Sequence, residues 1–487
     1  MDRPCCLNCD GCDCNDCRHS REGGNPVGAG FKPAIRFGVG GDMVSCGRIA
    51  MSDKRPNVIM IMSDDLGYEC IGVNGGTSYA TPRLDEMAAN GMRFDEGHVL
   101  PLCTPTRVAL MTGKHNFRNY IGFGLIAPDE VTFGHLFSDA GYNTCISGKW
   151  QLYSYNPPDE MPEMRNKGQQ IEDAGFDEYC VWHAHQTEDK GSRYKDPIIY
   201  ENGKYQDDTD GKYGDDIFCD YIMDFVDRNK DNDKPFFVYW PMALTHKPHE
   251  PSPDSPEFAD FEPPPNKTLG GRTWAELEDG AFEDDPRFYK DMVEYHDKLI
   301  GRLLDYLEAE GLSEDTLVIY TGDNGSPHDV CSMYHEHNEI CGGKGKTNDR
   351  GTHVPLIVQQ PGTVPAGSVN DDLIDVTDFL PTMLYAAGVD TPEGYVIDGE
   401  SFYPQLKGET GKPKDWIFFH FEPMNARNTT GQIRFVRDRN WKLYETGQLY
   451  DMNSDLDEEL PIFETEDGPE AAAARAKLKP IFAEMVA

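Results

Sequence analysis

Asn57-Val58-Ile59-Met60-Ile61-Met62, running into Ser63-Asp64-Asp65-Leu66-Gly67, reads as one element, an apolar run that delivers two adjacent carboxylates. A strand covered on both faces shows such a run, where a half-exposed strand would alternate. Thr316-Leu317-Val318-Ile319-Tyr320 repeats the pattern and leads into Thr321-Gly322-Asp323-Asn324-Gly325. In open α/β sheets ligands bind beyond the carboxyl ends of the strands, so both acidic pairs are expected at one site. Asp64, Asp65, Asp323 and Asn324 donate through oxygen, which suits calcium or magnesium and fits zinc or copper poorly.

Working outward, two more strands deliver basic groups to the same edge. The run over 142–146 leads into Ser147-Gly148-Lys149-Trp150, and that over 235–240 leads into Thr245-His246-Lys247-Pro248. Cys341-Gly342-Gly343-Lys344-Gly345 sets a further lysine in a glycine-rich turn. Helices lie between: Thr81-Pro82 starts one that Gly91 ends, 286–311 turns Met292, Val293, Leu299, Ile300, Leu303, Leu304 and Leu307 to the core, and 377–388 gives another. This alternation predicts the α/β class, a large mostly parallel sheet flanked by helices on both faces. Beyond it, 416–421, 432–437 and 441–445 predict a small C-terminal antiparallel sheet, closed by a helix over 470–486. The expected organisation is a catalytic domain over 55–410 and a C-terminal subdomain over 411–487.

Cys103-Thr104-Pro105-Thr106-Arg107 sets a thiol at a helix start with an arginine one turn behind it. Pro105 suits the first helical position, Thr104 can cap the free amides before it, and Arg107 shares the face of Cys103. An anion beside Cys103 would meet the positive end of the helix and a guanidinium fork together. Cys103-x-Pro105-x-Arg107 resembles the maturation signature of the sulfatase family. The segments at Asp64-Asp65, Gly148-Lys149-Trp150, Thr245-His246-Lys247-Pro248, Asp323-Asn324 and Gly343-Lys344 match that family in chain order, so the likeness runs from about Asn57 to the end.

The resemblance implies an alkaline-phosphatase-like fold and a formylglycine made from Cys103 by a formylglycine-generating maturation enzyme. It implies calcium, with magnesium as the other choice, held by Asp64, Asp65, Cys103, Asp323 and Asn324. Lys149, His246 and Lys344 would hold the sulfate oxygens beside Arg107, and one of them would protonate the leaving alcohol. The implied activity is hydrolysis of an aryl or carbohydrate sulfate ester through the aldehyde hydrate. Two rivals stand beside it: a phosphodiesterase or phosphonate monoester hydrolase of the same superfamily, and an inactive relative that binds sulfated glycans. The second is motivated by Gln151, which stands where the family usually has histidine and cannot accept a proton. His328, His335, His337 and His353 are the candidate replacement bases. The segment Asp349-Arg350-Gly351-Thr352-His353-Val354-Pro355 also departs from the commoner Glu-Gly-Gly-x-Arg-Val-Pro form.

The stretches 157–213 and 248–286 are polar and rich in proline, glycine and aspartate, and read as insertions that shape the substrate entrance. Trp182, His183, His185 and Trp274 are expected as exposed-loop aromatics that either stack on a sugar or phenyl ring or anchor the loops.

With 45 Lys+Arg against 85 Asp+Glu, the 487-residue chain carries a net charge of −40, which argues against nucleic acid as a partner. The same field repels an anionic substrate, so local cations must act at short range; the acidity is compatible with a saline habitat. Mean hydropathy of −0.61 and the lack of a long apolar run exclude a membrane span. Cys5, Cys6, Cys9, Cys12, Cys14 and Cys17 crowd the start, and Cys6-x-x-Cys9-x-x-Cys12 has the spacing of a zinc or iron–sulfur ligand set without an apolar core to hold it. Residues 1–50 are expected to be a disordered leader, or translation upstream of a true start at Met51. No export signal is visible, which favours the cytoplasm and leaves a periplasmic or secreted location open while the start is unsettled. The remaining cysteines are scattered singly, as in a reducing compartment.

Overall fold

In chain order the strands are β1 (Asn57–Ser63), β2 (Met92–Phe94), β3 (Gly97–His98), β4 (Asn143–Lys149), β5 (Glu178–Trp182), β6 (Ile199–Glu201), β7 (Lys204–Tyr205), β8 (Phe236–Pro241) and β9 (Thr316–Gly322). They continue as β10 (Cys331–Tyr334), β11 (Asn338–Cys341), β12 (Leu356–Gln359), β13 (Ser368–Asn370), β14 (Ile374–Asp375), β15 (Ile417–Phe421), β16 (Ile433–Arg437), β17 (Trp441–Tyr444) and β18 (Leu449–Asp451). The computed structural model describes residues 55–155, 161–185, 192–263, 286–335, 337–425 and 431–485.

Ten strands form one sheet in the order β13-β2-β12-β9-β1-β8-β4-β5-β6-β7. The five in its middle, β9-β1-β8-β4-β5, are parallel. Antiparallel pairing enters at β12 on one side and at β6 and β7 on the other. The run that opened the reading is the centre of this sheet, buried along its whole length. Val58, Met60 and Met62 face one core, and Ile59 and Ile61 face the other. Successive side chains of a strand point to opposite faces, so both sets must be apolar when helices cover both sides. The helices Cys103–Thr112, Phe133–Asp139 and Phe379–Ala387 pack on the first face. Pro82–Ala89, Gly214–Asn229 and Phe288–Ala309 pack on the second. Of the residues expected to face the core on Phe288–Ala309, all are buried except Leu304, which is half-buried against the same cluster.

The C-terminal strands pair antiparallel in the order β15-β16-β17-β18. Phe418, Val436 and Leu443 cover one face with Ala474, Leu478 and Phe482, while Phe419, Phe421 and Phe435 join the main core. The closing helix is two helices, Pro469–Leu478 and Ile481–Met485, because Pro480 cannot donate its amide to continue the first.

The insertion read over 157–213 is partly sheet: it contributes β5, β6 and β7. Trp182 and His183 are therefore buried, with Trp182 closing β5, and are not loop aromatics open to solvent. His185 is half-buried against Glu172 at 3.0 Å. Trp274 and the cysteine-rich leader lie outside the described residues. Cys331 and Cys341 form a disulfide across the β10–β11 hairpin, which corrects the reading of single, unpaired thiols; Cys70, Cys103, Cys145, Cys180 and Cys219 are free. Among the described residues, no helix is long and apolar enough to cross a membrane.

Candidate active site

Four adjacent parallel strands, β9, β1, β8 and β4, deliver polar side chains to the carboxyl edge of the sheet. Pairing continues past the end of β1: the Asp64 amide donates to the Leu244 carbonyl at 2.8 Å, the Thr245 amide to the Asp64 carbonyl at 2.6 Å, and the Asp323 amide to the Ser63 carbonyl at 3.0 Å. This holds three loops in register. Asp65 turns the chain with a φ of 63°, a left-handed conformation that aspartate tolerates. Gly148, at φ 137°, lies so close to Pro241 that a β-carbon would stand 2.1 Å from its carbonyl oxygen, which lets Lys149 enter the site beside β8.

The acidic groups interlock with the basic ones. Lys149 Nζ donates to Asp64 Oδ2 at 2.7 Å, and Lys344 Nζ to Asp65 Oδ2 at 2.6 Å. Arg107 Nε and Nη2 both reach Asp323 Oδ2, at 3.0 and 2.9 Å. The Asp65 amide donates to Asp323 Oδ1 at 3.1 Å, and Asn324 Nδ2 to Asp65 Oδ1 at 2.8 Å. His246 Nε2 lies 3.8 Å from Asp65 Oδ2. Ligand atoms of Asp64, Cys103 and Asp323 fall within 4.8 Å of one another, as do those of Asp64, Asp65 and His246. All the site residues singled out from the sequence except Gln151 are thus joined by these contacts. Gln151 follows β4 with its amide donating to the His183 carbonyl at 3.2 Å. Among the described residues, its side chain makes no hydrogen bond to Cys103 or to the carboxylates.

Cys103 is the first residue of its helix and is buried. The expected cap is absent: Leu102 precedes the helix, and the Thr104 hydroxyl accepts from the Gly124 amide at 3.1 Å. Pro105 occupies the third helical position, where its missing amide still costs nothing.

Burial alone would raise the Asp64 carboxyl, but the surrounding cations, Lys149 foremost, outweigh it and hold the group well below the carboxylate range. Asp323 goes the other way, pushed up to about 7 by burial and by the charge of Asp64. Two buried carboxylates in mutual repulsion fit a cation. Among the described residues, the Oδ1 atoms of Asp64 and Asn324 are buried without a hydrogen-bond partner, and an all-oxygen set of this kind suits a hard divalent ion. Burial, then the charges of Lys344 and Arg193, holds His246 well below the histidine range. Its Nδ1 lies 2.6 Å from the Lys247 carbonyl, which can only accept, so the neutral ring carries its proton there.

His353, His328 and His335 are engaged elsewhere. His353 stacks on Tyr68 with ring centres 4.0 Å apart and reaches the Asp95 carbonyl at 2.8 Å. His328 contacts the Gly342 carbonyl at 3.3 Å, and His335 packs on Tyr334 in the β10–β11 turn that also holds His337. The supporting layer was not foreseen. Tyr289 donates to the Asp65 carbonyl at 2.9 Å, and the Ser326 hydroxyl accepts from the Gly67 amide at 3.0 Å and donates to Glu69 at 2.7 Å. Nothing in the spacing of Tyr289, one apolar position on a long helix, separates it from a core residue.

A doubly covered α/β sheet carries interleaved carboxylates and cations at its carboxyl edge, beside a buried thiol at a helix start. The chain belongs to the sulfatase family, whose pattern matches residues 56–389. The pattern described as N-sulphoglucosamine sulphohydrolase, C-terminal, matches residues 344–484. The chain is similar to N-acetylgalactosamine-6-sulfatase of Canis lupus familiaris, 29% identical over an alignment of 431 positions that covers 80% of this chain and 74% of that one. It is similar to N-acetylglucosamine-6-O-sulfatase of Bacteroides thetaiotaomicron, 26% identical over an alignment of 511 positions that covers 84% of this chain and 83% of that one. A solved structure, BT4656 in complex with its substrate D-glucosamine-2-N,6-O-disulfate, shares the fold with a TM-score of 0.67 at 24% identity, covering 88% of this chain and 97% of that one.

Proposed function

We propose that this protein hydrolyses a sulfate ester on a carbohydrate, using an aldehyde made from Cys103 and a bound divalent cation, calcium in the first instance. The observation that carries this reading is the meeting of the Cys103 thiol with the Asp64 and Asp323 carboxylates within 4.8 Å. The carbohydrate part rests on the amino-sugar sulfatases to which the chain is similar. Asp64, Asp65, Asp323 and Asn324 would hold the cation, which supplies positive charge against the ester oxygens. The aldehyde, installed by a formylglycine-generating enzyme, supplies a hydrate with one oxygen to attack sulfur and a second through which sulfate is later released.

The chain's own groups do the rest. Arg107, Lys149 and Lys344 are fixed by Asp323, Asp64 and Asp65, so positive charge stands ready where three sulfate oxygens share negative charge. Preset charges of this kind need no reorganisation during reaction and are commonly the largest catalytic term. A lysine is the better donor to the leaving alcohol, because the neutral His246 keeps its proton on Nδ1 against Lys247. At Gln151 the base is absent, so return of the aldehyde is the slow half of the cycle.

The test is a mass spectrum of the Cys103 peptide from protein purified from its native host, together with assays on N-acetylglucosamine 6-sulfate, N-acetylgalactosamine 6-sulfate and a matched phosphonate monoester. Conversion of the thiol and preferred release of sulfate are expected. An unmodified thiol removes the proposed nucleophile, and faster cleavage of the phosphonate moves the protein to the rival reaction.

A further inference from the structure

Lys344 lies on a turn that runs, three residues on, into a segment tied to the C-terminal subdomain. Its own backbone is fixed from the other side, with the Lys344 amide donating to the Ser326 carbonyl at 3.0 Å and the Gly345 amide to the Pro101 carbonyl at 2.7 Å. Among the described residues, the side chains of Thr347, Asn348, Asp349 and Arg350 take their hydrogen-bond partners from beyond residue 430, whereas the Gly351 and Thr352 carbonyls accept from the Gly325 and Val99 amides. The Thr347 hydroxyl and the Tyr444 hydroxyl are 2.8 Å apart, and Lys442 Nζ donates to the Thr347 carbonyl. Tyr444 donates to Glu458 Oε2 and Lys442 to Glu458 Oε1 at 2.6 Å, which closes a ring through both the main chain and the side chain of Thr347. Asn348 Nδ2 donates to the Asp457 carbonyl at 3.3 Å. Arg437 Nη1 grips Asp349 at 2.9 and 3.0 Å, and Arg350 makes a two-pronged contact with Asp457 at 2.7 and 3.2 Å.

Stability alone is a poor reason for such a ring. Lys442 is fully buried, its ammonium 4.0 Å from the centre of the Phe435 ring. Removing that charge from water offsets much of what its pairing with Glu458 returns, and a well-packed apolar pair often does as well. What the polar ring provides instead is direction. A tyrosine hydroxyl, a carboxylate and an ammonium of fixed geometry define where Thr347 stands, three residues from Lys344.

We propose that the C-terminal sheet is the positioning device for Lys344, acting through Tyr444, Lys442 and Glu458 on Thr347. This rests on the reading above that Lys344 holds a sulfate oxygen. The three are positioning residues, remote from the ester, whose effect reaches it only through the lysine. A displacement of about 1 Å at a group that must meet a reacting centre costs on the order of 10²-fold, so small losses of register are measurable.

The experiment is a double-mutant cycle on the full-length protein, read as affinity for inorganic sulfate by calorimetry in calcium-containing buffer, with thermal unfolding alongside. Tyr444→Phe removes one hydroxyl and keeps the ring; Thr347→Val removes its partner. Each is expected to weaken sulfate about 5- to 10-fold with little change in unfolding temperature, and Lys344→Ala at least as much. In the Lys344→Ala background, Tyr444→Phe is expected to have no further effect. Unchanged affinity in both Tyr444→Phe and Thr347→Val, or losses that multiply in the double variant, overturns the positioning role. Unchanged affinity in Lys344→Ala alone overturns instead the reading of Lys344 as a sulfate contact, and the positioning role with it.

Discussion

Arg107 brings Nε and Nη2 to a single oxygen, Oδ2 of Asp323, and leaves its Nη1 buried with no hydrogen-bond partner among the described residues. The pair is buried, with Arg107 one turn behind Cys103 on the same helix. Truncation of one member of a buried pair strands the other charge, at a cost of roughly 3–5 kcal/mol. Arg107→Ala is expected to lower stability by about that amount in urea titration. Arg107→Lys keeps the charge and loses the fork, so it is expected to fold and to lose about 10²- to 10³-fold in turnover of a sulfate ester. A fully active Arg107→Lys would show that the fork has no part in holding the substrate.

The unpartnered Oδ1 atoms of Asp64 and Asn324 lead to a second expectation. A ligand that binds only the folded state stabilises it by about 2.7 kcal/mol at a hundred times its dissociation constant. Calcium added to chelator-treated protein should therefore raise the unfolding midpoint, and Asp323→Asn should blunt that rise. Equal midpoints with and without calcium or magnesium would remove the cation from the proposal.

The centre of the sheet was legible because β1 and β9 are unbroken apolar runs, a pattern that burial on both faces requires. The margins were not. β2, β6, β7 and β13 are two or three residues long, too short for any periodicity to register, and their place depends on the longer strands they join. Trp182 was misread for a related reason: β5 follows a stretch rich in glycine and aspartate, so composition pointed to a loop while pairing with β4 buried the ring. The meeting of Asp64, Asp65, Asp323, Lys149, His246 and Lys344 was foreseen from strand ends and family motifs. Tyr289 and Ser326, which hold the main chain that carries those side chains, were not, because main-chain contacts leave no mark on residue type.

Gln151 offers a gain-of-function test. Its backbone has a φ of 47°, a conformation histidine also tolerates, and its amide already donates to the His183 carbonyl. Gln151→His should therefore fold unchanged. If a missing base limits the second half of the cycle, the variant is expected to turn over faster by about 10²-fold, the lower end of what a general base contributes. Pre-steady-state assays separate the halves: a burst of alcohol release in the native protein should shrink in the variant. A variant no faster than the native protein would mean that another group already takes the proton.

Glu250, four residues beyond His246, is buried, and burial pushes its carboxyl from the ordinary 4.5 up to about 8, with the Arg193 charge opposing the rise. Its Oε2 has no hydrogen-bond partner among the described residues, so the ionised form gains little to offset desolvation. A raised carboxyl pKa means that the folded state holds a proton which the unfolded chain has released, and stability falls with pH wherever that is so. The contribution is complete below about 4.5 and is lost as pH rises through about 8. Asp215 works in the same direction, from 3.8 up to about 7, again through burial. Glu250→Gln cannot ionise and should remove its share of the slope. Urea midpoints at pH 5, 7 and 9 are therefore expected to fall for the native protein and to fall less for the variant, with the gap widest at pH 9. Parallel curves for the two proteins would show that Glu250 ionises in the folded state at its ordinary pH.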